Sequence, residues 1–160
     1  MRHIKILAVV MIVCSATGLV SGQAKANFPV QKGLVVDAEN DFDMETEAQL
    51  TKLVNAHKVK TTNQIAVVTV ADYAPYKTLI EYAKDLSANW KLGNNNVTIV
   101  FSEKKNDIKI NVGPALQAKL NEATCQKIIQ EKILPKFREG NYDQGVINGV
   151  MEIIRLLETK

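Results

Sequence analysis

The sequence predicts a three-layer α/β/α sandwich, a small mixed sheet with helices on both faces, and three observations lead to it. Gln64 to Val70 is a β-branched apolar run bounded by polar residues, the pattern of a central strand buried on both sides. Val97 to Phe101 and the alternating Ile108 to Val112 flank a polar stretch, Ser102 to Asp107, and read as a hairpin. Segments of helical period precede, separate and follow these strands. The order helix, strand, helix, hairpin, helix, helix cannot build an all-parallel doubly wound sheet, but it suits a small mixed one.

Leu34-Val35-Val36 is a short extended lead-in. Asp43 is placed to cap the first helix and Phe42 to staple it, with Leu50, Leu53, Val54 and His57 on the buried face. A second helix from Thr78 to Trp90 carries Leu79, Ile80, Tyr82, Ala83, Leu86 and Trp90 at helical spacing and stops before Gly93. A third runs from Asn121 to Leu134 with Ile128, Ile129 and Ile133 on one side. It is expected to end near Pro135, which lacks the N–H that the helical ladder needs. Gly140-Asn141 then supplies a turn, and Asp143 is expected to cap a last helix with Val146, Ile147, Val150, Ile153, Ile154 and Leu157 on its apolar face.

Residues 1–26 read as a secretory leader. Arg2 and Lys5 form a positive start, Ile6 to Val13 an apolar core, and Ala24-Lys25-Ala26 a small-x-small cleavage site before Asn27. Ser15, Thr17 and Gly18 interrupt the apolar run, which falls short of the roughly 20 residues of a spanning helix. Ile12 and Val13 before Cys14 do not match a lipoprotein signal. The expectation is an exported domain, residues 27–160, periplasmic or secreted, with no transmembrane segment after cleavage. Losing Arg2, Lys5 and Lys25 leaves 17 basic residues against 17 acidic ones. The basic balance of the whole chain is thus a property of the leader, and no basic face for nucleic acid is implied. Cys125 is the one cysteine beyond residue 26, so no disulfide can form within the domain.

Several pieces together resemble the TPM-domain family of thylakoid photosystem II repair proteins and bacterial envelope proteins. They are Val36-Asp37, the Gln64 to Val70 strand, Tyr82-Ala83, Trp90-Lys91-Leu92-Gly93, the Asn95 to Phe101 strand, Val112-Gly113 with Leu116, and the corner from Ile128 to Val146. The resemblance implies calcium-binding carboxylates and, in some members, acid phosphatase activity. It also implies that this chain is a divergent member. Asp37 and Asn95 match the family pattern, but Asn94 stands where members often have Asp. Asn106 stands in place of an Arg, and Gly113-Pro114-Ala115-Leu116-Gln117-Ala118 followed by Glu122 replaces a Gly-x-Gly-Leu-Glu-Gly stretch followed by Asp. The missing Arg removes a bidentate phosphate ligand. Asp37, Asn94, Asn95, Gln117 and Glu122 are the metal candidates that the resemblance yields, for a calcium site weakened by lost charge.

The acidic run Asp37, Glu39, Asp41, Asp43, Glu45, Glu47 contains no base, yet it fails as an EF-hand loop: Phe42 and Ala48 occupy the places of the required Gly and Glu. Its simpler reading is a helix start plus solvated loop, with a weak attraction for cations. His57 and Cys125 fall on helical core stripes, where a structural role is the plain expectation, and Trp90, Tyr82 and Phe137 read as core too. Asn96-Val97-Thr98 matches a glycosylation sequon. The functional expectation is an accessory or binding module of the cell envelope, with an unknown envelope or membrane protein as partner and little or no catalysis. The alternative is a hydrolase of phosphate monoesters.

Overall fold

Apolar side chains on both faces of Gln64–Thr69 (β2) place that strand inside the sheet, between Val35–Asp37 (β1) and Asn96–Ser102 (β3). The structure, a computed structural model, describes residues 26–159, so the expected leader lies outside the described residues except for Ala26. β1, β2 and β3 are parallel, and Asp107–Val112 (β4) returns antiparallel against β3, giving the order β1-β2-β3-β4. Asp37 stands beside Thr69, Gln64 beside Asn96, and Val97 beside Val112. The mixed sheet and its hairpin are those expected.

Helices cover both faces. Met44–Thr61 (α1) begins where the Asp43 side chain accepts the Thr46 N–H, with Phe42 buried just ahead of it and Leu50, Val54 and His57 on the inner stripe. Leu79–Asn89 (α2) begins with a reciprocal capping box between Thr78 and Glu81. Side chains alternate along β3, so Thr98 and Phe101 point to opposite faces. The Ser87 hydroxyl of α2 lies 2.8 Å from Thr98 Oγ1, which puts α2 on one face. On the other, the Phe101 ring lies 4.8 Å from that of Phe137 and 5.4 Å from that of Tyr142, so the C-terminal helices, with α1 packed on them, take that side.

The C-terminal corner differs from expectation at two points. Glu122–Ile128 (α3) does not end near Pro135 but continues through a π turn, Ile129–Ile133, into Leu134–Arg138 (α4), with Pro135 in its first turn. The Leu134 N–H donates to Ile129 C=O, five residues back. This widened turn opens the ladder where the proline ring would otherwise meet a carbonyl. The chain reverses at Gly140 instead, at φ +75°, where the Gly140 N–H donates to Phe137 C=O and the Asn141 N–H to Lys136 C=O, both at 2.9 Å. These are the two bonds of a Schellman motif, and its left-handed residue favours glycine. Asn141, not Asp143, therefore caps Tyr142–Glu158 (α5), accepting the Gln144 N–H at 3.0 Å. Asp143 sits two positions too far along to cap, and it is drawn part-way into the protein.

His57 takes the structural role expected of it: its Nδ1 lies 3.1 Å from Glu158 Oε1 and its Nε2 3.2 Å from Thr61 Oγ1, joining α1 to the end of α5. Asn96 is buried, its side chain donating to Gly93 C=O and accepting from Thr98 Oγ1, so the sequon has no surface on which to carry a glycan in the folded domain. Among the described residues no helix is long and apolar enough to cross a membrane.

Gly113 follows β4 at a crowded crossing: a Cβ there would lie 2.3 Å from the backbone oxygen of Asn94. Because backbone on both sides must shift, Gly113→Ala should destabilise the domain by about 1–3 kcal/mol, the usual cost of overpacking. Urea unfolding checks this, and an unchanged midpoint would contradict the geometry.

Candidate functional site

The carboxyl ends of the three parallel strands open at one edge of the sheet, the place where open α/β sheets form their crevices. Asp37 ends β1 there, and its carboxylate is fully used by its neighbours. Oδ1 accepts the Asp41 N–H at 3.0 Å and the Thr69 hydroxyl, and Oδ2 accepts the Phe42 N–H at 2.9 Å. Thr69 Oγ1 in turn accepts the N–H groups of Ala38 and Glu39 at 2.9 and 3.1 Å. The loop 38–42 is wound tightly around these two side chains, and its acids have nowhere to disperse.

Asp41 carries the consequence. Its Oδ2 is buried without a hydrogen-bond partner, and its pKa rises to about 6, through burial first and then through the charges of Asp37, Glu103 and Glu39. Glu103 stands near enough for its charge to add to that rise. Asp143 is a second such group: its Oδ1 is also buried and unpartnered, and burial, reinforced by the charges of Asp43 and Asp37, raises its pKa. The basic side chains nearby are already paired, Lys104 with Glu39 at 2.7 Å and Lys105 with Asp72 at 3.6 Å. Beside Glu39 opens a cavity of about 490 Å³ walled by Phe28, Val70, Ala71, Asp72 and Tyr82. Glu39 and Asp72, which line it, are held by those lysines, and Asp41 and Asp143 stand outside its lining; their unpartnered oxygens would attract a hard cation and repel an anion. Among the described residues, however, no three His, Cys, Asp or Glu side chains are arranged to hold one ion between them.

The five metal candidates from the sequence do not gather. Asp37 lies at this mouth, whereas Asn94 and Asn95 precede β3 at the opposite end of the sheet. Five strand residues, about 17 Å at 3.3 Å each, separate the two levels. Asn94 and Gln117 line one cavity, and Gln117 and Glu122 the next. The Asn95 amide instead donates to Thr62 C=O at 2.8 Å. Gln117 donates to Val112 C=O at 3.3 Å, and Glu122 accepts from Gln126 at 3.2 Å in the first turn of α3. The sequence reading missed Glu103 and Asp143 as members of the acidic mouth. Glu103 is brought there by the hairpin, and Asp143 looked like a cap. Cys125 is buried beside Leu120, and burial, with the Glu122 charge, pushes its thiol up to about 11, which leaves it a core filler without nucleophilic character.

A carboxyl whose folded-state pKa lies above its unfolded value contributes stability at low pH, and that contribution disappears as the pH rises through the folded value. The stability of the protein relative to Asp41→Asn should therefore fall as the pH rises from about 4 to above 6, leaving the variant the more stable protein at neutral pH. Thermal unfolding of both across that range reads the difference. A difference that stays level would contradict the placement of Asp41.

The TPM domain model matches residues 35–156. Three solution NMR structures share the fold. The N-terminal domain of a protein from P. gingivalis is 24% identical with a TM-score of 0.73, over 78% of this chain and 82% of that one. The N-terminal domain of the cg2496 protein from Corynebacterium glutamicum is 10% identical with a TM-score of 0.63, over 82% and 84%. The BA42 protein from the psychrophilic bacterium Bizionia argentinensis is 18% identical with a TM-score of 0.63, over 75% and 83%. No curated protein matches the chain. Its match to the domain over most of its length, on a fold that these structures share, shows that the chain belongs to the TPM-domain family.

Proposed function

We propose that this chain is an exported TPM domain that serves as a binding module of the cell envelope, taking up a hard divalent cation such as calcium weakly at its acidic mouth and catalysing little or nothing. The observation that carries the reading is the buried, unpartnered Asp41 Oδ2, on a carboxyl crowded by the charges of Asp37 and Glu103. Asp41 and Glu103 would hold the ion, with water and loop carbonyls completing its oxygen shell. Two carboxylates without a third predict the low affinity of extracellular calcium modules, with a Kd of about 10⁻⁴–10⁻³ M. When bound, the ion would supply charge neutralisation and so favour the charged form of Asp41. Export rests on the leader pattern of residues 1–26.

Hydrolysis of phosphate monoesters is less well supported. A phosphate dianion would have to enter among Asp37, Glu39, Asp41, Asp43, Glu103 and Asp143, with Lys104 already held by Glu39. Each close like-charge encounter raises the energy of the approach. Calorimetric titration of the metal-stripped protein with calcium should give a weak heat that Asp41→Asn abolishes, and p-nitrophenyl phosphate should not be turned over. Submicromolar calcium affinity would overturn the weak site. Phosphate release lost on Asp41→Asn substitution would establish the hydrolase instead.

A further inference from the structure

β4 is an outer strand of the sheet, and the ladder shows which of its groups face outward. The Gly113 N–H donates to the C=O of Asn96, the residue directly opposite it, so in this antiparallel pair Asn111–Thr98, Lys109–Val100 and Asp107–Ser102 are the mutually bonded pairs. The residues between them, Ile108, Ile110 and Val112, aim their N–H and C=O groups away from β3. Among the described residues another segment meets only one of these groups, the Val112 C=O, through Gln117. Such an edge is a template for another strand.

The edge lies in a groove. Two adjoining cavities of about 410 and 450 Å³ share Lys84, Asn111, Val112 and Gln117, with α2 on one side and the segment leading into α3 on the other. A strand hydrogen-bonded to β4 would sit about 4.8 Å outboard, between those walls. Ile80, Leu120 and Pro114 offer apolar contact to its alternate side chains.

The charge in the groove selects the occupant. Lys84 and Lys91 are exposed there, and neither forms an ion pair with any described residue. Of the acids nearby, Asp107 is paired with Lys109 at 3.0 Å, and Glu122 accepts from Gln126 on its own helix. An anion entering this end of the sheet meets two unpaired ammonium groups against one carboxylate, that of Glu122, whereas at the strand mouth it meets carboxylates in excess. Inorganic phosphate would satisfy the lysines but would leave the row of outward amides unused. An extended acidic peptide uses both.

We propose that the open edge of β4 takes up an extended acidic segment of a partner protein as a fifth strand, with Lys84 and Lys91 selecting for its charge. Main-chain bonds to Ile108, Ile110 and Val112 would supply the affinity, as in other strand-addition complexes. The inference does not depend on the cation reading, which concerns other residues.

The test is selection of a random peptide library displayed on phage against the purified protein, followed by synthesis of the peptide most enriched. Enriched sequences should alternate acidic with apolar residues. The synthetic peptide should shift and protect the amide signals of Ile108, Ile110 and Val112 in ¹⁵N NMR spectra. Lys84→Glu combined with Lys91→Glu, both at the surface, should weaken binding tenfold or more, and a peptide with lysine in place of its acids should not bind. Lack of enrichment, enrichment of basic sequences, affinity that survives the charge reversal, or shifts centred on Asp41 and Asp143 would each overturn the proposal. Displacement of the peptide by inorganic phosphate would overturn it too, showing an anion site without strand addition.

Discussion

The carboxylate of Asp37 and the hydroxyl of Thr69, joined across the ends of β1 and β2, determine how the strand mouth is built. Between them they take up four backbone N–H groups, those of Ala38, Glu39, Asp41 and Phe42. The two accepted by the Asp37 carboxylate are bonds to a charged group, worth about 1.5–3 kcal/mol each, more than ordinary ones. This strength lets the loop hold Asp41 against Glu103 although like charges oppose it. The same bonds set Phe42 and Asp43 at the start of α1, so the helix cap and the acidic mouth have one origin. Asp37, the residue that looked most like a ligand, proves to be the organiser of the carboxylates that are left free.

The two ends of the sheet consequently differ in chemistry. At the carboxyl ends of the strands, acids crowd together with their few basic neighbours already paired. At the other end, beneath the exposed Lys84 and Lys91, the inner polar groups are neutral amides and hydroxyls that satisfy one another, in the chain from Asn111 to Ser87 to Thr98 to Asn96. A buried neutral network is stable without a ligand, because every partner it needs is supplied by the fold. A crowded carboxylate mouth is not, and it improves with any proton or cation it gains. That contrast, more than the count of acids, separates the cation-attracting end from the end that offers an open strand edge.

Local signals in the sequence were readable where they were self-contained. Asp43 accepts an N–H three residues ahead, so its cap follows from the chain itself. β2 and β3 are apolar enough to require burial on both faces, which led directly to the central strands. The corner was harder: Asn141 and Asp143 are both good caps, and the choice between them depends on the left-handed turn at Gly140 and on where α4 ends. Pro135 signalled a helix end by its own chemistry, but a single extra residue in the turn before it removed the conflict, and one inserted residue leaves no periodic trace. The candidate site was legible only in part. Asp37 and Asp41 stood out as acids, yet the partner that occupies Asp37 is Thr69, 32 residues away, and the charges that perturb Asp41 are those of Asp37 and then of Glu103 from the hairpin. The proximity of Asn94, Gln117 and Glu122 to one another rests on the return of β4, and their distance from Asp37 on the parallel register; neither can be read from spacing along the chain.

The central claim is that Asp41 sits in a partly dehydrated mouth among the charges of Asp37, Glu103 and Glu39, with the nearby Lys104 taken up by Glu39. Carboxyl ¹³C NMR titration of the metal-stripped protein tests it most directly. The Asp41 signal should titrate near pH 6 and move to lower pH when millimolar calcium is present, since a cation favours the charged form. An Asp41 midpoint in the ordinary carboxylate range, unmoved by calcium, would contradict the account.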